Sequence, residues 1–207
     1  MSLVNIFNLY QSRITFFNSL VVRANQIDQN GNFVLSLQER SFIVESAFLK
    51  MYVEWENFLE SSFSEYLLGE TSICGNLPVR YATPRDINHA LNLIKGPLKY
   101  FDWSDPEKII LISEIYFLNG EPFKSTLNSI KSYLMDLRTI RNAAAHLSST
   151  TSNQLNALSS RLLTNPRNNI GVGELLLSVI PSSNPPETIL DSYSAQWRGA
   201  IQQISNF

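Results

Sequence analysis

Leu3, Phe7, Tyr10, Ile14, Phe17, Val21 and Ala24 recur at alternating steps of four and three. That spacing keeps apolar side chains on one helical face and predicts a long amphipathic helix from Leu3 to about Gln26. Asn30-Gly31 reads as a turn. The same spacing resumes in Val44, Phe48, Tyr52, Trp55, Leu59, Ser62 and Tyr66, with no interior Pro or Gly, and predicts a second long helix from about Leu35 to Leu68, stopped at Gly69. Two such helices on a short connection should pack antiparallel, each hiding the other's stripe. Further on, Thr83-Pro84 with Asp86 predicts the N-cap and first turn of a helix reaching about Lys95, closed by Gly96-Pro97. Ser104-Asp105-Pro106-Glu107 opens another, carrying Ile109, Ile112, Ile115 and Tyr116 towards Asn119-Gly120.

After Pro122, the positions Ile130, Tyr133, Leu137, Ile140, Ala144 and Leu147 predict a third long core helix. The hydroxyl-rich run Ser148 to Ser152 breaks it and can cap a shorter helix, Asn153 to Leu163, ended by Asn165-Pro166. Gly171 to Ile180 suits either a helix or a buried strand, and Ser182 to Pro186 reads as a linker. A last helix, Glu187 to about Ser205, presents Leu190, Tyr193, Trp197, Ile201 and Ile204. The pattern therefore predicts an all-α fold, an antiparallel helical bundle in one domain over 1–207. Its core spans about 3–165, and 166–207 forms a C-terminal extension.

Composition narrows the function. With 44% hydrophobic and 11% aromatic residues, 207 residues can build a large core. The single cysteine, Cys74, excludes an internal disulfide framework and a cysteine-rich zinc site, and two histidines, His89 and His146, leave few metal ligands. A reduced, cytoplasmic setting fits. No run of eighteen apolar residues is present and Met1 to Asn8 lacks a basic region, so neither a membrane span nor export is expected. A net charge of -2 excludes nucleic-acid binding by bulk electrostatics. Locally the balance differs, because Lys124, Lys131, Arg138 and Arg141 face Asp136 alone between Lys124 and His146.

No glycine-rich phosphate loop, nucleophile elbow or His-Glu-x-x-His pattern occurs. One constellation remains, Arg141-Asn142-Ala143-Ala144-Ala145-His146, which gathers a permanent cation, an amide and an imidazole on the third core helix. The three alanines leave room for a second backbone or a ligand, though alanine is also the best helix former. At about 100° per residue, Asn142 and His146 lie roughly 40° apart, but Arg141 and His146 lie roughly 140° apart. Either the helix ends near His146, or a symmetric dimer completes the site. An imidazole at a helix C-terminus suits general-acid work. By spacing alone such residues more often mark a solvated helix face than a site. His89 reads as a surface histidine, Cys74 as an inert small side chain, and Trp55, Phe58 and Tyr66 as core.

The segment from Ile140-Arg141-Asn142 to His146 resembles the Arg-polar-x-x-x-His signature of HEPN domains, all-helical modules common in prokaryotic toxin and defence systems. The resemblance extends to Trp55-Glu56-Asn57-Phe58-Leu59-Glu60, Tyr66-Leu67-Leu68-Gly69, Ala82-Thr83-Pro84, Phe101-Asp102-Trp103, and Tyr116-Phe117 followed by Gly120-Glu121-Pro122. These look like the HEPN-like nuclease branch typified by small cyanobacterial proteins, over about Leu35 to Gly171. The resemblance implies a metal-independent, cofactor-free endoribonuclease of toxin or antiviral-defence type. It would act on RNA as a homodimer whose two motifs line one cleft, with an antitoxin or another defence-system protein as partner.

Carried over by residue, Arg141 would hold the scissile phosphate, His146 would transfer protons and Asn142 would orient one of them, with Glu45 or Glu54 as an added polar contact. Relatives regulated by nucleotidyl transfer onto a tyrosine two residues past the histidine differ here, where that place is Ser148. A catalytically silent HEPN module that binds RNA or a protein is the competing expectation, and a helical scaffold with an accidental motif is the third.

Overall fold

A computed structural model describes residues 1–146, 148–165 and 168–207. Among them the chain is all-α, with nine helices: α1 (Leu3–Ala24), α2 (Leu37–Leu68), α3 (Ile87–Lys95), α4 (Pro106–Tyr116), α5 (Phe123–Ser129), α6 (Lys131–Ala145), α7 (Ser149–Leu162), α8 (Val172–Leu177) and α9 (Ile189–Asn206). The described residues contain isolated antiparallel bridges and no strand. Leu147 of the expected α6 stripe, and Pro166, lie outside the described residues.

The caps explain where helices begin. Ser36 and Glu39 form a reciprocal pair, the Ser36 N–H donating to the Glu39 carboxylate at 2.9 Å and the Glu39 N–H to the Ser36 hydroxyl at 3.3 Å, which starts α2 at Leu37. Asp105 accepts from the Glu107 and Lys108 amides and Pro106 occupies the first turn of α4. For α3 the cap is Asp86, which accepts from the His89 N–H at 2.8 Å. The expected Thr83 cap is therefore replaced by one three residues later. α2 closes as expected at Gly69, whose φ of +102° is left-handed and whose missing Cβ admits the Arg80 guanidinium at 2.7 Å. Arg80 in turn donates to the Leu67 carbonyl at 2.9 Å.

The chain divides into two compact units, with every crossing inside a helix. The first comprises Met1–Gln11, Glu54–Met135 and Gln196–Phe207. Its core is aromatic: Phe63, fully buried, meets Trp103, Phe117 and Phe123 with ring centroids 5.7, 5.0 and 4.8 Å away. Trp55 stacks on Trp197 at 6.2 Å, Tyr10 meets Phe58 edge-on, and the Tyr66 hydroxyl donates to the Ile204 carbonyl at 2.6 Å. These contacts draw α1, α2 and α9 together. A short antiparallel bridge between Arg80 and Phe117 fixes the loop ahead of α3.

The second unit comprises Ser12–Val53 and Asp136–Ala195. Val44, Phe48, Leu137, Ile140, Leu155, Leu175 and Ile189 are among its buried side chains. The hairpin between α1 and α2 is held by Arg40, which donates to the Asn25 side-chain oxygen at 2.6 and 3.1 Å and stacks over Phe33. Asp136 on α6 pairs with Arg161 of α7 and accepts the Tyr193 hydroxyl of α9 at 2.8 Å. α8 resolves the segment whose sequence fits helix or strand: it is one and a half turns of helix, seated so close to α2 that a Cβ on Gly173 would stand 2.1 Å from the Ser41 carbonyl oxygen.

Phe63→Ala should cost about 3–5 kcal/mol, the usual penalty for emptying a buried aromatic site, read as a lower midpoint in urea unfolding followed by circular dichroism. Gly173→Ala should cost about 1–3 kcal/mol by overpacking, since the obstacle is backbone and cannot swing aside. An unchanged unfolding midpoint for either would contradict the packing described.

Candidate functional site

The Arg141–His146 segment sits where α6 ends. α6 stops at Ala145, and the His146 N–H closes its last turn by donating to the Asn142 carbonyl at 3.0 Å, leaving the imidazole exposed just past the helix. Of the two arrangements compatible with the sequence, the helix end near His146 is thus present. The Arg141 guanidinium donates to the Asn142 side-chain oxygen at 3.2 Å, and both residues are half-buried. Arg141 and Asn142 are brought together within one chain. The imidazole makes no hydrogen bond or ion pair with either among the described residues.

A second element holds the junction. Ser148 caps α7 reciprocally with Thr151: the Thr151 N–H donates to the Ser148 hydroxyl at 3.1 Å, and the Ser148 N–H donates to Thr151 Oγ1 at 3.2 Å. The Thr151 hydroxyl also donates to the His146 carbonyl at 2.6 Å. The hydroxyl run expected as a break is therefore the first turn of α7, which starts at Ser149 rather than Asn153. Thr151 is the residue that sequence reasoning missed, and the signal available was the Ser-x-x-Thr spacing. The geometry also sets two helix ends against each other: the C-terminus of α6 favours a cation at His146, while the N-terminus of α7 favours an anion beside it.

Burial along α6 follows Ile130, Leu134, Leu137, Ile140 and Ala143. Tyr133 and Ala144, expected on the stripe, are half-buried, so the buried face is turned by about one position. Ala144 and Ala145 consequently border the exposed histidine with small side chains. The concentrated positive charge is reduced by the fold. Lys124 pairs with Glu114 and Lys131 with Glu107 at 2.8 Å, while Asp136, the one acid of the segment, is taken by Arg161 from outside it. Arg141 meets no carboxylate among the described residues.

The other candidates have surroundings of their own. Glu45 accepts a hydrogen bond from the Gly173 N–H, and burial raises its pKa against that bond; Glu54 belongs to the first unit. His89 accepts from the Arg85 N–H through Nδ1 at 3.3 Å on α3, and Cys74 is an exposed free thiol. Trp55, Phe58 and Tyr66 are core. Two cavities in the second unit, of about 420 and 500 Å³, have none of Arg141, Asn142 or His146 in their walls. Among the described residues no cluster of three or more His, Cys, Asp or Glu side chains is close enough to hold a metal ion, and no helix is long and apolar enough to cross a membrane.

Compared with protein-family models, curated proteins and solved structures, the chain matches none. The α6–α7 junction carries a half-buried guanidinium bonded to a half-buried amide, and an exposed imidazole.

The raised pKa of Glu45 gives a stability prediction with a definite sign. A carboxyl whose folded pKa exceeds its unfolded value binds more protons when folded, so its contribution is most favourable at acid pH and is lost as pH rises through the folded value. Glu45→Gln keeps a carbonyl for the Gly173 N–H without the charge. It should raise Tm at pH 7 and leave Tm unchanged at a pH acid enough to protonate the carboxyl in both states; a lower Tm at pH 7 would show that the charged form is the stabilising one.

Proposed function

We propose that this chain is a HEPN-like, metal-independent endoribonuclease of toxin or defence type. The observation that carries the reading is that α6 ends one residue before His146, leaving an exposed imidazole four residues past Asn142, whose side chain holds an Arg141 guanidinium that no carboxylate neutralises among the described residues. The junction supplies the two groups that RNA transesterification requires, a proton carrier and a fixed cation.

In the proposed reaction the ribose 2'-oxygen attacks the adjacent phosphorus, losing its proton to an imidazole. The bond from phosphorus to the 5'-oxygen breaks, and that oxygen takes a proton from an imidazolium. Arg141 meets the negative charge gathering on the non-bridging oxygens, where a preplaced donor contributes about 10²–10³ in rate, and Asn142 holds its guanidinium. Proton transfer through His146 contributes about 10²–10⁴. Each chain brings one such histidine, so a two-fold homodimer with both motifs on one cleft would supply base and acid together. The exposed Ala145 and His146 at the end of α6 support such an approach.

Purified protein incubated with total RNA should yield 2',3'-cyclic phosphate or its opened form and 5'-hydroxyl ends, with chelator present, and should leave DNA intact. His146→Ala and Arg141→Ala should each lower cleavage at least about 10²-fold with helical content unchanged, because both lie off the buried face of α6. Light scattering at micromolar concentration should give a dimer. Loss of cleavage on chelation, or a His146→Ala protein as active as the parent, would overturn the mechanism; saturable RNA binding without cleavage would identify a silent binding module.

A further inference from the structure

Within the second unit, the C-terminal half of α1 and the N-terminal half of α2 enclose a groove of about 500 Å³. Phe17, Leu20, Ala24, Leu35, Phe42 and Ile43 form its apolar lining. It is open to solvent at Phe42, which is 73% exposed. Large apolar side chains concentrated this way mark a surface that another molecule covers.

The charges at the groove decide which molecule. Its charged walls are Arg23 and Lys50, neither held in an ion pair among the described residues, and no carboxylate lines it. Among the acids of this hairpin, Asp28 accepts from the Asn30 and Asn32 amides, Glu39 caps α2 at Ser36, and Glu45 accepts from Gly173, while Glu54, one turn past Lys50 on α2, is not part of the lining. A second copy laid on the groove about a two-fold axis would bring two Arg23 and two Lys50 into one apolar interface with nothing to offset them. From Phe42 to Lys50 the groove follows α2 for about 12 Å, a little over two helical turns, which matches apolar anchors at i, i+3/i+4 and i+7 of an incoming helix.

We propose that this groove docks an amphipathic helix of a partner protein, its apolar face between α1 and α2 and its flanking Asp or Glu residues on Arg23 and Lys50. The proposal is independent of the ribonuclease reading. The test uses the full chain and a fluorescent synthetic peptide of roughly four turns, with Leu and Phe on one face at i, i+3, i+4 and i+7 and Glu beside them.

Saturable binding is expected, weakened at least about tenfold by Phe42→Asp and by the double change Arg23→Glu with Lys50→Glu. A Lys-flanked version of the peptide should show the opposite preference, binding the double variant better than the parent. All three side chains are exposed, so thermal unfolding by circular dichroism should be unchanged and serves as the folding control. Absence of saturable binding, or equal binding of the Glu- and Lys-flanked peptides, would overturn the proposal. So would a parent dimer that Phe42→Asp dissociates, which assigns the groove to a second copy. Parent binding to phosphatidylserine vesicles that Phe42→Asp abolishes, without peptide binding, assigns it to a lipid surface.

Discussion

Burial of one face of α2 is the interaction to which the other helices answer. From Val44 to Leu67 that face presents Phe48, Met51, Tyr52, Trp55, Phe58, Leu59, Phe63 and Tyr66, every one of them almost wholly removed from solvent. At about 1.5–3 kcal/mol for each large side chain taken out of water, no other element carries a comparable share. A 32-residue helix cannot cover such a stripe alone. In the first unit α9 meets it through Trp197, and in the second Gly173 lets α8 lie directly against its backbone. Polar groups then select positions within that packing: Asp136 joins α6 to α7 and α9, and Arg40 locks the turn between α1 and α2.

Much of this was legible in the chain because periodicity is a property of a single helix. The bounds of α1, α2 and α9 follow the sequence pattern within two residues, and the five predicted positions on α9 are all buried. Errors arise where the deciding information is not intrahelical. Thr83-Pro84 looks like a helix start, yet the chain stays irregular there because the Arg80–Phe117 bridge holds it, and Asp86 takes the cap. Tyr133 and Ala144 share a spacing with the core residues of α6, but which arc of a helix is hidden depends on its neighbours, and these reach Leu134 and Ala143 instead. α8 is too short for any period to show.

The motif was legible as composition and spacing, and its geometry was left between two arrangements. The structure supplies the missing term, a helix break stabilised from the far side by Thr151. Long-range ion pairs were not legible, since Glu107 and Glu114 belong to α4 and nothing in the stretch from Lys124 to His146 announces them.

Those two pairs have a consequence for how a polyanion would meet α6. Association with a phosphate chain draws its strength from counterions released as cations replace them, and the slope against salt counts the cations that take part. Lys124 and Lys131 already face carboxylates, and each pair must open before its ammonium can displace a cation from a phosphate. Neither lysine, Lys124 on α5 or Lys131 at the start of α6, would contribute its full share of that release. The hold on a strand would be local, centred on the guanidinium of Arg141, and changing ionic strength would move it far less than the four cations of the segment imply.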